Sequence, residues 1–286
     1  MRKYRNQILA GLLFISVALI AVVALTGVDA LAGKLETFPL WLFIPVLLLK
    51  CVNWSLRYLE WRTFLRVIGV HTVWEKTESS PTPSIRERDS LVLWLSGLAM
   101  AVSPGKLAEM LKALILKSLS GSDFSRNVPV VFMERLVDGF AVIILAVIAL
   151  LTVGGSLSQG VAMSTVRWVL FSVAAVLIAG TAIIQYRRLS LALLDWAGTL
   201  PLLNRIETIL RNLYDSTYEL LRLKNLALPL LFGLGAHFSD CIGFYLLLTG
   251  LGIDGGLTLF GQAMFVVSFA VIVASLSAMP GGRGRS

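Results

Sequence analysis

Long apolar stretches dominate the chain. The first covers about Ile8 to Val28. At 1.5 Å per residue a helix of that length reaches roughly 30 Å, the thickness of a bilayer's hydrocarbon core. A second runs from about Phe38 to Leu59, with Pro45 as an expected kink. The polar text after it, including Glu75 to Pro83 and Arg86 to Asp89, reads as solvated loop. Pro129–Val153, Val166–Tyr186, Leu226–Gly250 and Leu257–Ala278 read as further spans, and Gly154–Thr165 as a loop without Lys or Arg.

Two regions depart from this rhythm. Leu91 to Ser103 is about 13 residues, or roughly 20 Å of helix, and stops at Ser103-Pro104-Gly105-Lys106. A second short piece, Leu107 to Lys117, follows. Neither crosses a bilayer alone, so residues 91–117 predict a re-entrant hairpin that turns at mid-membrane. One kinked spanning helix is the alternative. The other departure is Leu202 to Leu223. Leu202, Ile206, Ile209, Leu213, Thr217 and Leu220 recur every three or four residues, while Arg205, Glu207, Arg211, Asp215, Glu219 and Arg222 fill the opposite side. That pattern predicts an amphipathic helix lying on the membrane surface.

Composition agrees. Hydrophobic residues make up 57% of the 286 residues and charged ones 15%, with a mean hydropathy of +0.81. Soluble chains run to about 45–50% and 25%. The expected fold is all-α: one membrane domain, 1–286, forming a polytopic transmembrane helix bundle. A disordered chain and a disulfide-built scaffold are excluded, and no nucleic-acid partner is expected despite the net charge of +8. The basic residues are instead distributed by side. The loops of one set hold sixteen Lys or Arg, and the opposite loops (residues 29–37, 154–165 and 251–256) hold only Lys34. This predicts a cytoplasmic (inner) membrane protein with its amino terminus in the cytoplasm. Arg2, Lys3 and Arg5 precede an apolar run long enough to span, which reads as a retained first helix. Cys51 and Cys241 lie in apolar text and read as two buried thiols rather than a disulfide. Trp41, Trp74 and Trp168 fall near predicted interfaces, as an aromatic belt would place them.

The informative residues are ionisable groups at membrane depth. Each would cost roughly 2.5–3.5 kcal/mol at a helix centre facing lipid, so each must face a partner or a cavity. Lys106, Glu109 and Lys112 follow the Pro104-Gly105 turn at spacings of three and share one broad helix face. Glu134, Arg135 and Asp138 crowd one side of the next span. Two readings fit. The charges are internal ion pairs that fasten the hairpin to its neighbour, or they line a site for a charged headgroup. A broken helix presents backbone N–H groups and a helix amino terminus at mid-membrane, which favours an anion such as phosphate. Lys106 at that terminus is electrostatically disfavoured unless an anion is present. A second break, Pro280-Gly281-Gly282 after Val266–Met279, echoes the first from the opposite side, the arrangement of inverted-repeat transporters with one or two re-entrant half-helix hairpins.

Ser103-Pro104-Gly105-Lys106-Leu107-Ala108-Glu109, Lys112, Glu134-Arg135-Leu136 with Asp138, and the late Pro280-Gly281-Gly282 together resemble the lysylphosphatidylglycerol synthase transmembrane region family, also described as flippase-like integral membrane proteins. Arg57-Tyr58-Leu59-Glu60 and the glycine of Val67-Ile68-Gly69 fit the same pattern. The resemblance implies a bundle with two re-entrant hairpins and lipid translocation between leaflets. It also implies a link to phospholipid or polyprenyl-phosphate glycan modification, through membrane lipids such as an anionic phospholipid or a lipid-linked phosphate and through a separate soluble synthase or transferase. Two departures matter. No soluble synthase domain follows, so lysyl transfer does not carry over. Past Pro280-Gly281-Gly282 the family pattern has an apolar residue, a glycine and a glutamate, whereas here the text reads Arg283-Gly284-Arg285-Ser286. The expectation from this ending is a truncated chain in which Leu257–Ala278 crosses completely.

Other chemistry finds no support in the text. Two histidines, His71 and His237, and no zinc-type spacing predict no metal and no cofactor. His237 and Asp240, three apart near the start of a span, read as a structural polar contact or as a proton-coupling or headgroup group. Gly233-Leu234-Gly235 lies inside an apolar helix and predicts close helix packing. Three functions remain: lipid or headgroup translocation through a polar cavity lined by Lys106, Glu109, Lys112, Glu134, Arg135 and Asp138; an intramembrane enzyme with Glu109 or Glu134 as base; and a non-catalytic scaffold for a soluble synthase. The missing nucleophile and metal motifs favour the first.

Overall fold

In the computed structural model the described residues are 33, 36–77, 80–100, 107–153, 163–188, 190–192 and 207–277; the side chains of 98–100, 107–110, 163, 207 and 274–277 lie outside that description. The expected first span 8–28, the turn at Pro104-Gly105-Lys106, the Glu109 side chain, the start of the amphipathic piece and Pro280-Gly281-Gly282 therefore fall outside it.

The described chain is an all-α, multi-span helix bundle. A short turn at Leu40–Leu42 leads into α1 (Phe43–Val67). Then come β1 (His71–Val73), β2 (Ser84–Arg86), α2 (Glu87–Met100), α3 (Leu107–Ser120) and α4 (Phe124–Val153). The rest is α5 (Met163–Gln185), α6 (Glu207–Leu221), α7 (Leu223–Gly250) and α8 (Gly256–Ser277). Helices α1 with its preceding turn, α4, α5, α7 and α8 are long and apolar enough to cross a membrane. At 14 residues each, α2 and α3 reach only about 21 Å and do not.

Several local details differ from the expectation. Helix α1 continues past Leu59 to Val67 because Glu60, Trp61, Phe64 and Leu65 are all buried. Pro45 is the third residue of α1, in the first turn, where its missing N–H costs no intrahelical hydrogen bond. The text read as loop contains a parallel two-stranded ribbon, with His71 opposite Ser84 and Val73 opposite Arg86, and Arg86–Asp89 leads straight into α2. Two strands of three residues carry too little alternation to read from sequence. Cys51 is exposed, not buried; Cys241 is buried, and both are free thiols.

Helix α4 organises the bundle, packing against α1, α3, α5, α6, α7 and α8. Its first half joins a cluster with Trp61, Phe64 and Leu65 of α1, Leu93 and Trp94 of α2, and Leu116 of α3. Its second half, from Val142 to Ala149, packs with α5, α7 and α8 through Leu170, Cys241, Met264 and Phe265. Two glycines allow the close α7 seam. A Cβ on Gly233 would lie 2.8 Å from Val137 Cγ1, and one on Gly235 would lie 3.0 Å from Leu56 Cδ1. The Gly233–Gly235 pair is thus a packing element, as its sequence context predicts. The turn between α3 and α4 is set by Gly121 at φ +78°, a left-handed backbone that favours glycine, with its N–H donating to the Lys117 carbonyl at 3.0 Å. Asn127 of α4 donates to the Ala113 carbonyl of α3 at 3.2 Å and accepts from Ser122 at 2.9 Å, which pins the two helices together.

Helix α6 is amphipathic. Its Leu220 and Leu221 are buried in the protein core, and Tyr214 donates to the Ile184 carbonyl of α5 at 3.1 Å. Much of its apolar face thus meets other helices. At its junction with α7, Arg222 donates to Glu219 at 2.9 Å, which holds the Glu219 carboxyl below its ordinary range.

Candidate functional site

The charged residues of α4 sit in its first half, where α1, α3 and α7 meet it. Helical spacing carries Glu134 and Asp138 to the same side, one turn apart. Each finds a cation on a different helix. Lys112 of α3 donates to both oxygens of Glu134, at 2.9 and 2.7 Å. Both side chains are buried, at 8% and 11% exposure. The Lys112 ammonium also stands 3.9 Å from the centre of the Trp61 ring, a cation–π contact in a desolvated setting. Gly97 of α2 leaves room for this: a Cβ there would lie 3.2 Å from Lys112 Cδ.

Asp138 collects three neighbours. Arg57 Nη1 of α1 donates to its Oδ1 at 2.7 Å, and Arg135 Nη1 donates to its Oδ2 at 3.2 Å. His237 Nε2 of α7 lies 3.2 Å from Oδ1 and also 3.2 Å from Arg57 Nη2. One ring nitrogen cannot serve both: bare it accepts from Arg57, protonated it donates to Asp138. The nitrogen therefore sits at a branch point whose hydrogen bond follows its proton.

The ladder continues along the α1–α7 seam. Asn53 donates to the Ala236 carbonyl at 2.7 Å and to Asp240 Oδ2 at 3.0 Å. Lys50 donates to Asp240 Oδ1 at 2.9 Å, a half-exposed pair. Lys50, Asn53, Arg57 and Glu60 fall three, four and three residues apart and so line one face of α1.

Glu60 completes the cluster. Its side chain is buried, at 2% exposure, and among the described residues its Oε1 has no hydrogen-bond partner. Its other oxygen lies beside the cleft that Gly233 leaves in α7. A cavity of about 30 Å³ is lined by Arg57, Glu60, Trp94, Lys112, Glu134 and Asp138, among others. That is room for a water or two and no more.

The geometry thus brings together Lys112, Glu134, Arg135, Asp138, Arg57 and His237. Asp240 joins through Lys50 and Asn53, one turn further along α7. Sequence reasoning named Arg57, His237 and Asp240 only as accessory groups, and Arg57 turns out to be a central partner of Asp138. It passed over Glu60, Asn53 and Lys50 as site residues: Lys50 and Asn53 share a three–four spacing with Arg57 inside an apolar span, a visible signal, whereas Glu60 falls just past the expected end of that span. Trp61 and Gly97 had no such signal, because their roles depend on which helix lies opposite.

Among the described residues no group of three His, Cys, Asp or Glu side chains is arranged to hold a metal ion. The described side chains form a network of opposed charges between helices. No curated protein and no solved structure matches the chain. The model of the family described as the lysylphosphatidylglycerol synthase TM region matches residues 8–286. With nearly its whole length matched, and with Lys112, Glu134 and Asp138 of its charged motifs paired in one buried cluster, the chain belongs to that family as a membrane-embedded, flippase-like member.

Proposed function

We propose that this protein moves a lipid or lipid-linked headgroup between leaflets, and that the cluster around Glu134 and Asp138 is where the headgroup passes. The observation that carries this reading is the ion-pair network itself. Three cations and two carboxylates are paired between helices of a membrane protein, where each would be costly without a partner. A purely mechanical fastening could be made of apolar side chains, which often match or exceed a buried ion pair in stability. Retaining the charges fits a site that exchanges partners. An anionic phospholipid or a lipid-linked phosphate would bind by displacing a carboxylate from Lys112, Arg57 or Arg135. Guanidinium and ammonium groups suit phosphate oxygens. The cavity has room only for water, so such binding requires the pairs to open.

In this reading α2 and α3 form a re-entrant hairpin with Pro104, Gly105 and Lys106 at its tip, and Glu109 belongs to the same polar face. Pro280, Gly281 and Gly282 would form the counterpart tip of an inverted repeat. In the same reading the amino terminus lies on the cytoplasmic side of the inner membrane, which the distribution of basic loops supports.

The test is reconstitution into vesicles carrying a fluorescent anionic phospholipid, with dithionite quenching to count lipids that change leaflet. The native protein should speed exchange well above empty vesicles. Glu134→Gln, at equal incorporation, should lose most of that gain, and Glu75→Gln in the exposed loop should lose none. Equal rates in the two variants would count against the buried site. A chemically altered lipid would point to an enzyme instead.

A further inference from the structure

Glu60 is the one carboxylate of the cluster that the proposed transport does not yet use. Its surroundings are specific. From α1 itself, Arg57 lies one turn away; from α3 comes Lys112; from α4 come Glu134, Arg135 and Asp138; from α7, His237 reaches the cluster through Arg57 and Asp138. Among the described side chains α2 contributes Trp94 and Gly97, which carry no charge. Counted over the charged groups alone, three cations face three carboxylates. Glu134 takes Lys112, and Asp138 takes Arg57 and Arg135. Glu60 Oε1, buried, takes no hydrogen bond among the described residues.

A carboxylate oxygen is an acceptor only, and leaving one unmatched in a buried site is costly. A neutral carboxyl loses far less on leaving water than a carboxylate does. The two states of Glu60 also set the charge of the whole cluster. With Glu60 ionised the six groups balance. With Glu60 protonated they carry one net positive charge in a space enclosed by helices. A phosphodiester monoanion restores neutrality.

From this geometry we infer that Glu60 takes up a proton when the cluster binds a phosphodiester headgroup, so that proton and anion enter together and the loaded site is electrically neutral. The inference rests on the translocation reading and deepens it by naming a co-transported ion. The step is a proton transfer alone. A proton from water adds to a Glu60 oxygen, the headgroup's anionic oxygen pairs with a cation, and both events reverse on release. Because the two bindings are linked, each favours the other by the same factor.

The experiment uses the full chain in phosphatidylcholine nanodiscs under weak buffering, with a pH-indicating dye. The probes are short-chain phosphatidylglycerol, which supplies the phosphodiester on a lipid, and dimethyl phosphate, which supplies it free. Both stay monoanionic across the working range. The native protein should take up about one proton per phosphodiester bound, and its affinity should fall about tenfold per pH unit as pH rises through the window of uptake. Glu60→Gln, a permanently neutral side chain of the same shape, should bind with no uptake and no such slope, and should bind more tightly than the native protein at high pH. Binding of the lipid probe alone would assign the site to headgroups on lipid; binding of both would assign it to phosphodiesters in general; either outcome with proton uptake supports the inference. Binding by the native protein without uptake would overturn it while leaving translocation intact. So would uptake that survives in Glu60→Gln and disappears in His237→Gln. No binding of either probe would remove the headgroup site and this inference together. If Glu60→Gln does not fold, infrared difference spectra of the native protein decide. A protonated-carboxyl C=O band that appears on binding and shifts in heavy water is expected, and its absence overturns the assignment.

Discussion

The two halves of α4 are both buried against other helices, yet by opposite chemistry. Half of its most apolar window is enclosed, against 6% for α5. From Val142 onward it meets α5, α7 and α8 through aliphatic and aromatic side chains, leaving an apolar gap of about 150 Å³ between Leu145, Ile148, Phe238 and Met264. One turn or two earlier, Glu134 and Asp138 meet α1, α3 and α7 through ion pairs at 2.7 Å around a space of about 30 Å³. The apolar half can leave this groove open at its surface because nothing there needs a partner. The polar half cannot, because every unpaired charge is expensive. One helix therefore has an adaptable end and an end with strict pairing, and the proposed headgroup exchange concerns the second.

Removing one partner should produce the largest effect. Asp138→Ala leaves Arg57 and Arg135 without the carboxylate they share, which should cost about 3–5 kcal/mol and lower the thermal unfolding temperature in detergent sharply. A variant as stable as the native protein would mean those arginines have other acceptors. Next comes the Lys112–Glu134 pair. Lys112→Met alone and Glu134→Met alone should each lose about 3–5 kcal/mol, while the double variant recovers most of it. Recovered stability without recovered lipid exchange would separate the pair's two roles, and recovery of both would reduce it to a fastener. A smaller effect belongs to the α7 seam. Gly233→Ala forces its new methyl against Val137 and should cost about 1–3 kcal/mol through overpacking, with lipid exchange falling because Glu60 lies beside it. The smallest belongs to the apolar half. Met264→Leu conserves volume and should cost under about 1.5 kcal/mol with exchange unchanged. Exchange as impaired as in Glu134→Gln would erase the distinction between the halves.

Much of this architecture was legible beforehand. The apolar runs predicted four of the five described spanning helices close to where they lie, and α1 ran past its predicted end. The two short pieces either side of Pro104-Gly105 appeared as α2 and α3. Long hydrophobic runs survive any tertiary context because bilayer thickness sets their length. Glu134, Arg135, Asp138 and Lys112 were also legible, since ionisable groups stand out in apolar text. Glu60 was quoted as part of a motif without a role. It sat at the expected end of a span, where a charge is unremarkable, and only the extension of α1 to Val67 draws it inside. Cys51 went the other way, exposed although its text is apolar, because hydrophobicity along a membrane helix does not say which face meets protein.

By itself the amino-acid sequence determined that this chain lives in a membrane, which family it belongs to, and which helix faces bear charge. Those follow from composition and period, which are properties of one segment at a time. Only the tertiary structure decided that Lys112 answers Glu134, that Arg57 reaches Asp138 across 81 residues of chain, and that Glu60 is buried with no hydrogen bond to its Oε1 among the described residues. Pairing depends on which faces two helices turn toward each other, and that choice is made by the packing of the whole bundle.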